Sequence, residues 1–151
     1  MSFRGVDKIN LDGKGRFSIP TKHRAELEEQ CQGKLVVTAN RARCLVLYPL
    51  PVWEEVENKL NHLPSLNEPA MNLKRFTLGH ACQCDMDAQG RILLPEELRE
   101  FARLDKRIVL SSQVNKFEIW DEESWHKSIN AWMEDGGSLE EMKDIAATLV
   151  I

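Results

Sequence analysis

The chain has 151 residues, of which 42% are hydrophobic and 29% charged, so it can bury a core and should fold. No apolar stretch approaches the ~18 residues of a membrane-spanning helix, and residues 1–10 lack the apolar centre of a secretion signal, so we expect a cytoplasmic protein without membrane contact. The cysteines show no CxxC spacing, and we expect free thiols at Cys31, Cys44, Cys82 and Cys84.

The net charge of −4 is unevenly distributed along the chain. Residues 1–50 carry nine Lys and Arg against five Asp and Glu, whereas residues 119–151 carry two Lys against eight Asp and Glu. This asymmetry indicates a basic working face and an acidic flank. Taken alone, it favours a nucleic-acid partner only modestly.

The first predicted elements surround a motif that the chain repeats. Residues 12–24 align with residues 87–99 at an offset of 75, and five of the 13 aligned positions are identical. In each copy an extended run enters the motif, a Gly-containing turn follows, and a second strand runs to Pro20 or Pro95. Apolar runs on both sides of a turn predict a β-hairpin in each copy.

Each copy then continues with the same series of elements. A short helix follows the proline, which suits a first helical turn better than a central strand. β-Branched runs predict a second hairpin that turns near residues 40–43 in the first copy and near residues 113–115 in the second. A longer helix closes each copy, and in the second we expect an inward face formed by Trp125, Ile129 and Trp132.

These elements predict four segments. A helix-like connector joins the copies, and a last amphipathic helix follows Gly136 and Gly137, where it either packs between subunits or covers the sheet. The predicted boundaries are a first repeat at 3–53, a helical connector at 54–80, a second repeat at 81–125 and C-terminal helices at 126–151.

The repeated motif, Asp-x-x-Gly-Arg-x-x-x-Pro, places an aspartate and an arginine four residues apart across a tight turn. One interpretation is structural, because the ion pairs Asp12–Arg16 and Asp87–Arg91 would fix the turns. The other is functional, because each aspartate would orient its arginine and leave donors of the planar guanidinium free for phosphate or guanine. The residues alone do not decide between them.

The two copies differ in charge around this motif. Lys14 and Lys22 of the first copy correspond to Gln89 and Glu97 of the second. The first copy therefore has the better edge for binding phosphate, although Lys22 and Arg24 also suit a solvated helix face. The cations near its hairpin are Arg4, Lys8, Lys14, Arg16, Lys22 and Arg24.

The chain resembles the MraZ family of the AbrB-like swapped-hairpin DNA-binding superfamily. Residues 12–16 and 87–91 carry the family's Asp-x-x-x-Arg motif, and further likeness covers residues 3–5, 47–51, 78–81 and 115–121. The resemblance implies an α+β fold in which two tandem AbrB-like half-domains form one pseudo-two-fold swapped-hairpin β-barrel with flanking helices. Both motif loops would then lie near each other on one face, where Asp12 and Asp87 would orient Arg16 and Arg91.

The resemblance also implies a function. Family members are sequence-specific regulators of transcription that bind short repeats in double-stranded DNA upstream of a division and cell-wall gene cluster, including their own gene. They form homo-oligomeric rings and associate with the nucleoid. For this chain we expect no cofactor. For this chain we expect DNA contacts from Arg16, Arg91, Lys14, Arg4, Lys8 and Arg24.

Two other classes of function compete with this one. An antitoxin-like interaction protein would use the same fold to hold a toxin. A disordered toxin-binding tail would support that function, whereas the predicted C-terminal helix does not. A metal-dependent enzyme would need ligands such as His80, Cys82 and Cys84, which alternate along an expected strand but lack a nearby fourth ligand. We therefore expect neither a metal site nor an enzyme, and expect the repeat-related tryptophans to pack in the core.

Overall fold

The computed structural model describes the backbone of residues 1–151 and all side chains except those of residues 136–138. It divides into two compact units, residues 1–121 and 122–151. The first unit contains β1 (Phe3–Asn10), β2 (Arg16–Ser18), α1 (Thr21–Cys31), β3 (Leu35–Asn40), β4 (Cys44–Pro49), α2 (Leu50–Asn61), α3 (Glu68–Gly79), β5 (Cys82–Gln83), β6 (Arg91–Leu93), α4 (Glu96–Phe101), β7 (Arg107–Val114) and β8 (Phe117–Asp121). The second contains α5 (Glu122–Glu134) and α6 (Gly136–Leu149).

The second hairpin of each copy is confirmed. β3 pairs antiparallel with β4 up to the pair Asn40–Cys44, and β7 pairs antiparallel with β8 up to Ser112–Phe117. The proline that ends each motif strand is followed directly by a helix, α1 or α4, as expected from its missing N–H. The mixed helices and antiparallel strands confirm the α+β class.

The prediction that the first two strands of each copy form a paired hairpin is wrong. The strands on either side of the motif turn do not pair with each other, since β1 pairs with β7 and β2 pairs with β6. Likewise β5, which enters the second motif, pairs with β3 of the first copy. The turns form where the sequence places them, but their strands complete the other copy's sheet.

The closed barrel is not found in the part of the chain that the structure describes. Six strands form an open antiparallel sheet in the order β1–β7–β8–β4–β3–β5, while β2 and β6 form a separate two-stranded ribbon. Strands β4 and β8, one from each copy, meet at the centre of the larger sheet. Equivalent strands of the two copies therefore take pseudo-two-fold related positions in both sheets.

The main core lies between one face of the six-stranded sheet and the ribbon. Because side chains alternate along a strand, every second residue of each strand points into this layer. Phe17 and Ile92 enter it from the ribbon and are 2% and 1% exposed. The sheet contributes fully buried apolar side chains that include Leu45, Leu47, Ile108, Leu110 and Phe117.

A smaller apolar cluster covers the other face of the sheet on the first-copy side. Val36 and Val46 pack there with Tyr48 and with Trp53 of α2. The ring centroids of Tyr48 and Trp53 lie 5.6 Å apart. Trp53 and Trp120 are 5% and 8% exposed, which confirms that these two tryptophans pack inside and leaves neither free to stack on a base.

The second unit consists of two successive helices, α5 and α6. The expected inward face of α5 is wrong for Ile129 and Trp132, which are 39% and 41% exposed. On α6, Ile145 and Leu149 are more than half exposed. Each of the two helices therefore carries exposed apolar side chains.

No helix among the described residues is long and apolar enough to cross a membrane. All four cysteines are free thiols, as predicted. Burial raises the pKa of the Cys44 and Cys84 thiols to about 12, so both remain protonated at neutral pH.

Candidate nucleic-acid interface

The first motif loop, residues 12–16, is organised by one carboxylate. Asp12 Oδ1 accepts hydrogen bonds from the backbone N–H groups of Lys14 and Arg16, each at 2.9 Å. Its Oδ2 accepts from Arg16 Nε at 3.2 Å. The backbone closes around it, since Asp12 N–H donates to the Arg16 carbonyl at 2.9 Å. The aspartate thus both builds the turn and aims the arginine.

The second motif loop, residues 87–91, repeats this geometry. Asp87 Oδ1 accepts from the N–H groups of Gln89 and Arg91, each at 2.9 Å, and Oδ2 accepts from Arg91 Nε at 3.0 Å. In both loops the hydrogen bond from the arginine's backbone N–H is the main cause that lowers the pKa of the aspartate. Both carboxylates are therefore ionised at neutral pH.

The ribbon brings the two arginines to one face. Arg91 lies opposite Ser18 in the β2–β6 ladder, two residues along from Arg16. Paired residues and residues two apart point to the same side, so Arg16 and Arg91 share the face opposite Phe17 and Ile92. Strand spacing places their Cα atoms about 8 Å apart. This face, which we call the motif face, is turned away from the core.

Within each arginine's side chain, only Nε donates to the aspartate. Among the described residues, no protein acceptor contacts the Nη1 and Nη2 atoms of Arg16 or Arg91. The two side chains are 35% and 39% exposed. The ion pair fixes the turn, as the structural interpretation predicts, and the outer half of each guanidinium stays available to a ligand, as the functional interpretation requires.

The last arginine of each motif supports the loop of the other copy. Arg99 Nε donates to the Leu94 carbonyl at 3.0 Å, and Arg24 Nε donates to the Ile19 carbonyl at 2.7 Å. A Cβ on Gly15 would lie 2.5 Å from Arg99 Nε, and one on Gly90 would overlap the Arg24 side chain. Both positions therefore favour glycine for two reasons. An arginine side chain lies too close to leave room for a Cβ, and the backbone has positive φ values of 90° and 78°.

A family model described as "MraZ protein, putative antitoxin-like" matches residues 2–76 and again residues 77–141. The chain belongs to the MraZ family. Three proteins named "Transcriptional regulator MraZ" illustrate the likeness. The one from Methylococcus capsulatus is 52% identical over 97% of this chain and 96% of its own length. Those from Thioalkalivibrio sulfidiphilus and Pseudomonas aeruginosa are 49% and 44% identical, covering 88% and 95% of this chain and 89% and 98% of their own.

In this MraZ family member, two of the predicted contact residues lie away from the motif face. Arg4 and Lys8 alternate with Phe3 and Ile9 along β1, so they project from the face of the sheet opposite the main core. The ribbon packs on the core side. Arg4 and Lys8 are exposed, but the structure does not bring them together with Arg16 and Arg91.

The remaining predicted cations take three different positions. Lys14 is exposed within the first motif loop, beside Arg16. Lys22 Nζ lies 3.1 Å from Asp7 Oδ1 and so ties α1 to β1. Arg24 is half-buried beneath the second motif loop rather than near the first, because the strands cross between copies.

The sequence analysis did not predict that Arg99 would support the first motif loop, as Arg24 supports the second. It lies against the first motif loop, whereas in the sequence it belongs to the second copy. A signal was present, because the terminal arginine is identical in both copies of the motif. That identity is explained by the shared task of supporting the opposite loop.

Of the three residues considered for a metal, His80 does not lie on a strand, whereas Cys82 and Cys84 both pack against the main core. His80 follows the end of α3, and its Nδ1 lies 2.7 Å from the Phe76 carbonyl. Cys82 is half-buried in β5, while Cys84 is buried beyond it. No group of three His, Cys, Asp or Glu side chains among the described residues is placed to hold a metal ion.

Proposed function

We propose that this protein is a regulator of transcription that binds double-stranded DNA through the outer face of the β2–β6 ribbon, without catalysing a reaction. One observation carries the proposal: Arg16 and Arg91 share that face and have their outer guanidinium nitrogens free. The names of the relatives, each a transcriptional regulator, support the same role.

The geometry suits the major groove of B-DNA, which admits a two-stranded β-ribbon. A guanidinium can donate two hydrogen bonds to O6 and N7 of one guanine, or it can hold a phosphate. An arginine already fixed by its aspartate loses less side-chain freedom on binding. Lys14 adds a phosphate contact beside Arg16, which fits the net positive charge of the first 50 residues.

We propose further that the targets are short repeats upstream of the division and cell-wall gene cluster that contains the protein's own gene. On this view the protein acts in the cytoplasm, on nucleoid DNA. The exchange of strands between the copies supports an origin in a swapped-hairpin dimer of AbrB-like chains, now contained in one polypeptide.

The test is which genomic fragments the purified protein retains, mapped to base resolution. We expect enrichment of short repeats in that upstream region and a steep loss of affinity between ~50 and ~200 mM salt, as counterion release requires. Tight binding that ignores salt would contradict the electrostatic mechanism. Retention of a protein partner with no fragment enriched would instead support the antitoxin-like role named in the family description.

We also propose that several copies assemble, in the closed ring that the family resemblance implies. One ribbon offers DNA only a small surface, so repeated ribbons in one assembly would bind repeated DNA boxes through a high effective concentration. The exposed apolar side chains of α6 fit a packing role, including Ile145 and Leu149. Sedimentation should give a mass several times that of one chain. A single-chain mass at micromolar concentration would disprove assembly.

A further inference from the structure

A groove of about 560 Å³ lies beside the first motif loop and is lined from both copies. Asp12 and Gly13 form one side. The other side comes from the end of α4 and the start of β7, and its cationic residues are Arg99, Lys106 and Arg107. We call this feature the first-loop groove. It joins the motif face directly, because Asp12 also holds Arg16.

Cations dominate the first-loop groove. Its two acidic residues are Asp12 and Asp105, and Asp12 is already paired with Arg16 at 3.2 Å. Lys106 and Arg107 are exposed, and neither forms an ion pair within the described part of the chain. Arg99 is fixed through Nε, which donates to the Leu94 carbonyl. The groove is therefore a concave surface with surplus positive charge and a preplaced guanidinium.

The equivalent groove at the second motif loop has the opposite balance. It measures about 350 Å³ and contains one cation, Arg24, with two acids, Glu28 and Asp87. The backbone shows that Gly33 occupies the place of Lys106. The Gly33 carbonyl accepts from Met86 N–H at 2.8 Å, just as the Lys106 carbonyl accepts from Leu11 N–H at 2.8 Å. The duplication preserved the hydrogen bond and changed the charge.

We propose that the first-loop groove receives the phosphate backbone of bound duplex DNA, with Lys106 and Arg107 contacting phosphates and with no counterpart of the Lys106 charge at the second loop. This inference rests on the proposed function and deepens it. A duplex whose bases face Arg16 must pass its backbone close to the flanks of that loop, where the groove opens. Phosphate contacts fix the register of a protein on DNA, so each ribbon would bind in one preferred orientation despite its pseudo-symmetry.

The experiment compares two double variants that each remove two positive charges. K106Q/R107Q removes charge from the groove and retains the backbone carbonyl that Leu11 needs. K59Q/R75Q is the matched control, since it also removes one lysine and one arginine. Lys59 lies on α2 and Arg75 on α3, and both are exposed outside the groove. Affinity for a retained fragment and for an unrelated duplex is measured across a salt series.

We expect the groove variant to lower the log–log slope of affinity against salt by about 0.9 for each phosphate that the protein no longer neutralises, roughly 1.8 in all. Both duplexes should weaken equally, because phosphate contacts carry no sequence information. The control should keep the wild-type slope. Should the double variant lose stability, the single variants K106Q and R107Q are each expected to lower the slope by about 0.9.

Equal slopes in the groove variant and the control would overturn the groove proposal. The proposed function would survive that result, since the wild-type protein would still bind DNA with its salt dependence. A wild-type protein without salt-dependent duplex binding would overturn both. A loss confined to the specific duplex would also contradict a phosphate role for Lys106 and Arg107.

Discussion

Replacing Arg16 with alanine is expected to weaken binding to a specific duplex by about 5- to 150-fold, the range for removing one base-contacting arginine. The loss should exceed that of Arg91→Ala, although the two loops have the same internal geometry. Lys14 stands beside Arg16, whereas Gln89 stands beside Arg91. The first loop therefore has the more positive surroundings in which to hold DNA.

The fold should survive both replacements. The side chains of Arg16 and Asp12 are 35% and 45% exposed, and solvent-exposed ion pairs contribute little to stability. The backbone N–H of residue 16 would remain to donate to Asp12. The decisive comparison is the thermal midpoint beside DNA affinity for alanine variants at Asp12, Arg16, Asp87 and Arg91. An unchanged affinity for Arg16→Ala, or a loss explained by unfolding, would reject the contact role.

Replacing Gly15 with alanine is expected to lower the free energy of unfolding by about 2–4 kcal/mol. The φ of 90° strains any residue that carries a Cβ, and this Cβ would meet Arg99 Nε at 2.5 Å. Arg99 must then move and give up its hydrogen bond to Leu94. Denaturant midpoints at neutral pH measure the loss, which should accompany weaker DNA binding because the first motif loop shifts.

Gly13→Ala is the matched control, two residues away in the same loop. A Cβ there meets no atom within 4 Å, so the change in unfolding free energy should stay within about 0.5 kcal/mol. The double variant Gly15→Ala/Arg99→Ala should show a favourable coupling, because removing Arg99 removes the overlap and leaves only the backbone strain. Additive losses would show that Arg99 and Gly15 do not act together.

The local elements were predictable because each depends on neighbouring residues. The turns at Asp12 and Asp87, the helices after Pro20 and Pro95 and the two later hairpins follow from turn residues and apolar periodicity. The pairing of β1 with β7 was not predictable in this way. A strand has the same alternating pattern whether its partner lies in its own copy or in the other copy, so the sequence does not distinguish the two.

The same exchange explains which of the predicted site residues the structure brings together and which it separates. Arg16 and Arg91 depend on geometry inside one loop, and the repeated aspartate and arginine revealed them. Arg24 lies near the first loop in the chain, yet it supports the second. The alternation of side chains along β1 could have shown that Arg4 and Lys8 lie away from Arg16 and Arg91. That inference needs both the core face of β1 and the position of the ribbon, and the sequence alone does not give them.

The pairing of Phe3 with Val114 also sets an order of events during synthesis. When the first repeat leaves the ribosome, β1 and β2 have no partners, because their partners lie in the second repeat. Neither half of the polypeptide contains a complete set of ladders, and contacts so distant in sequence slow the search for the native state. The nascent first half must therefore remain incomplete, with open strand edges, until β7 has been made.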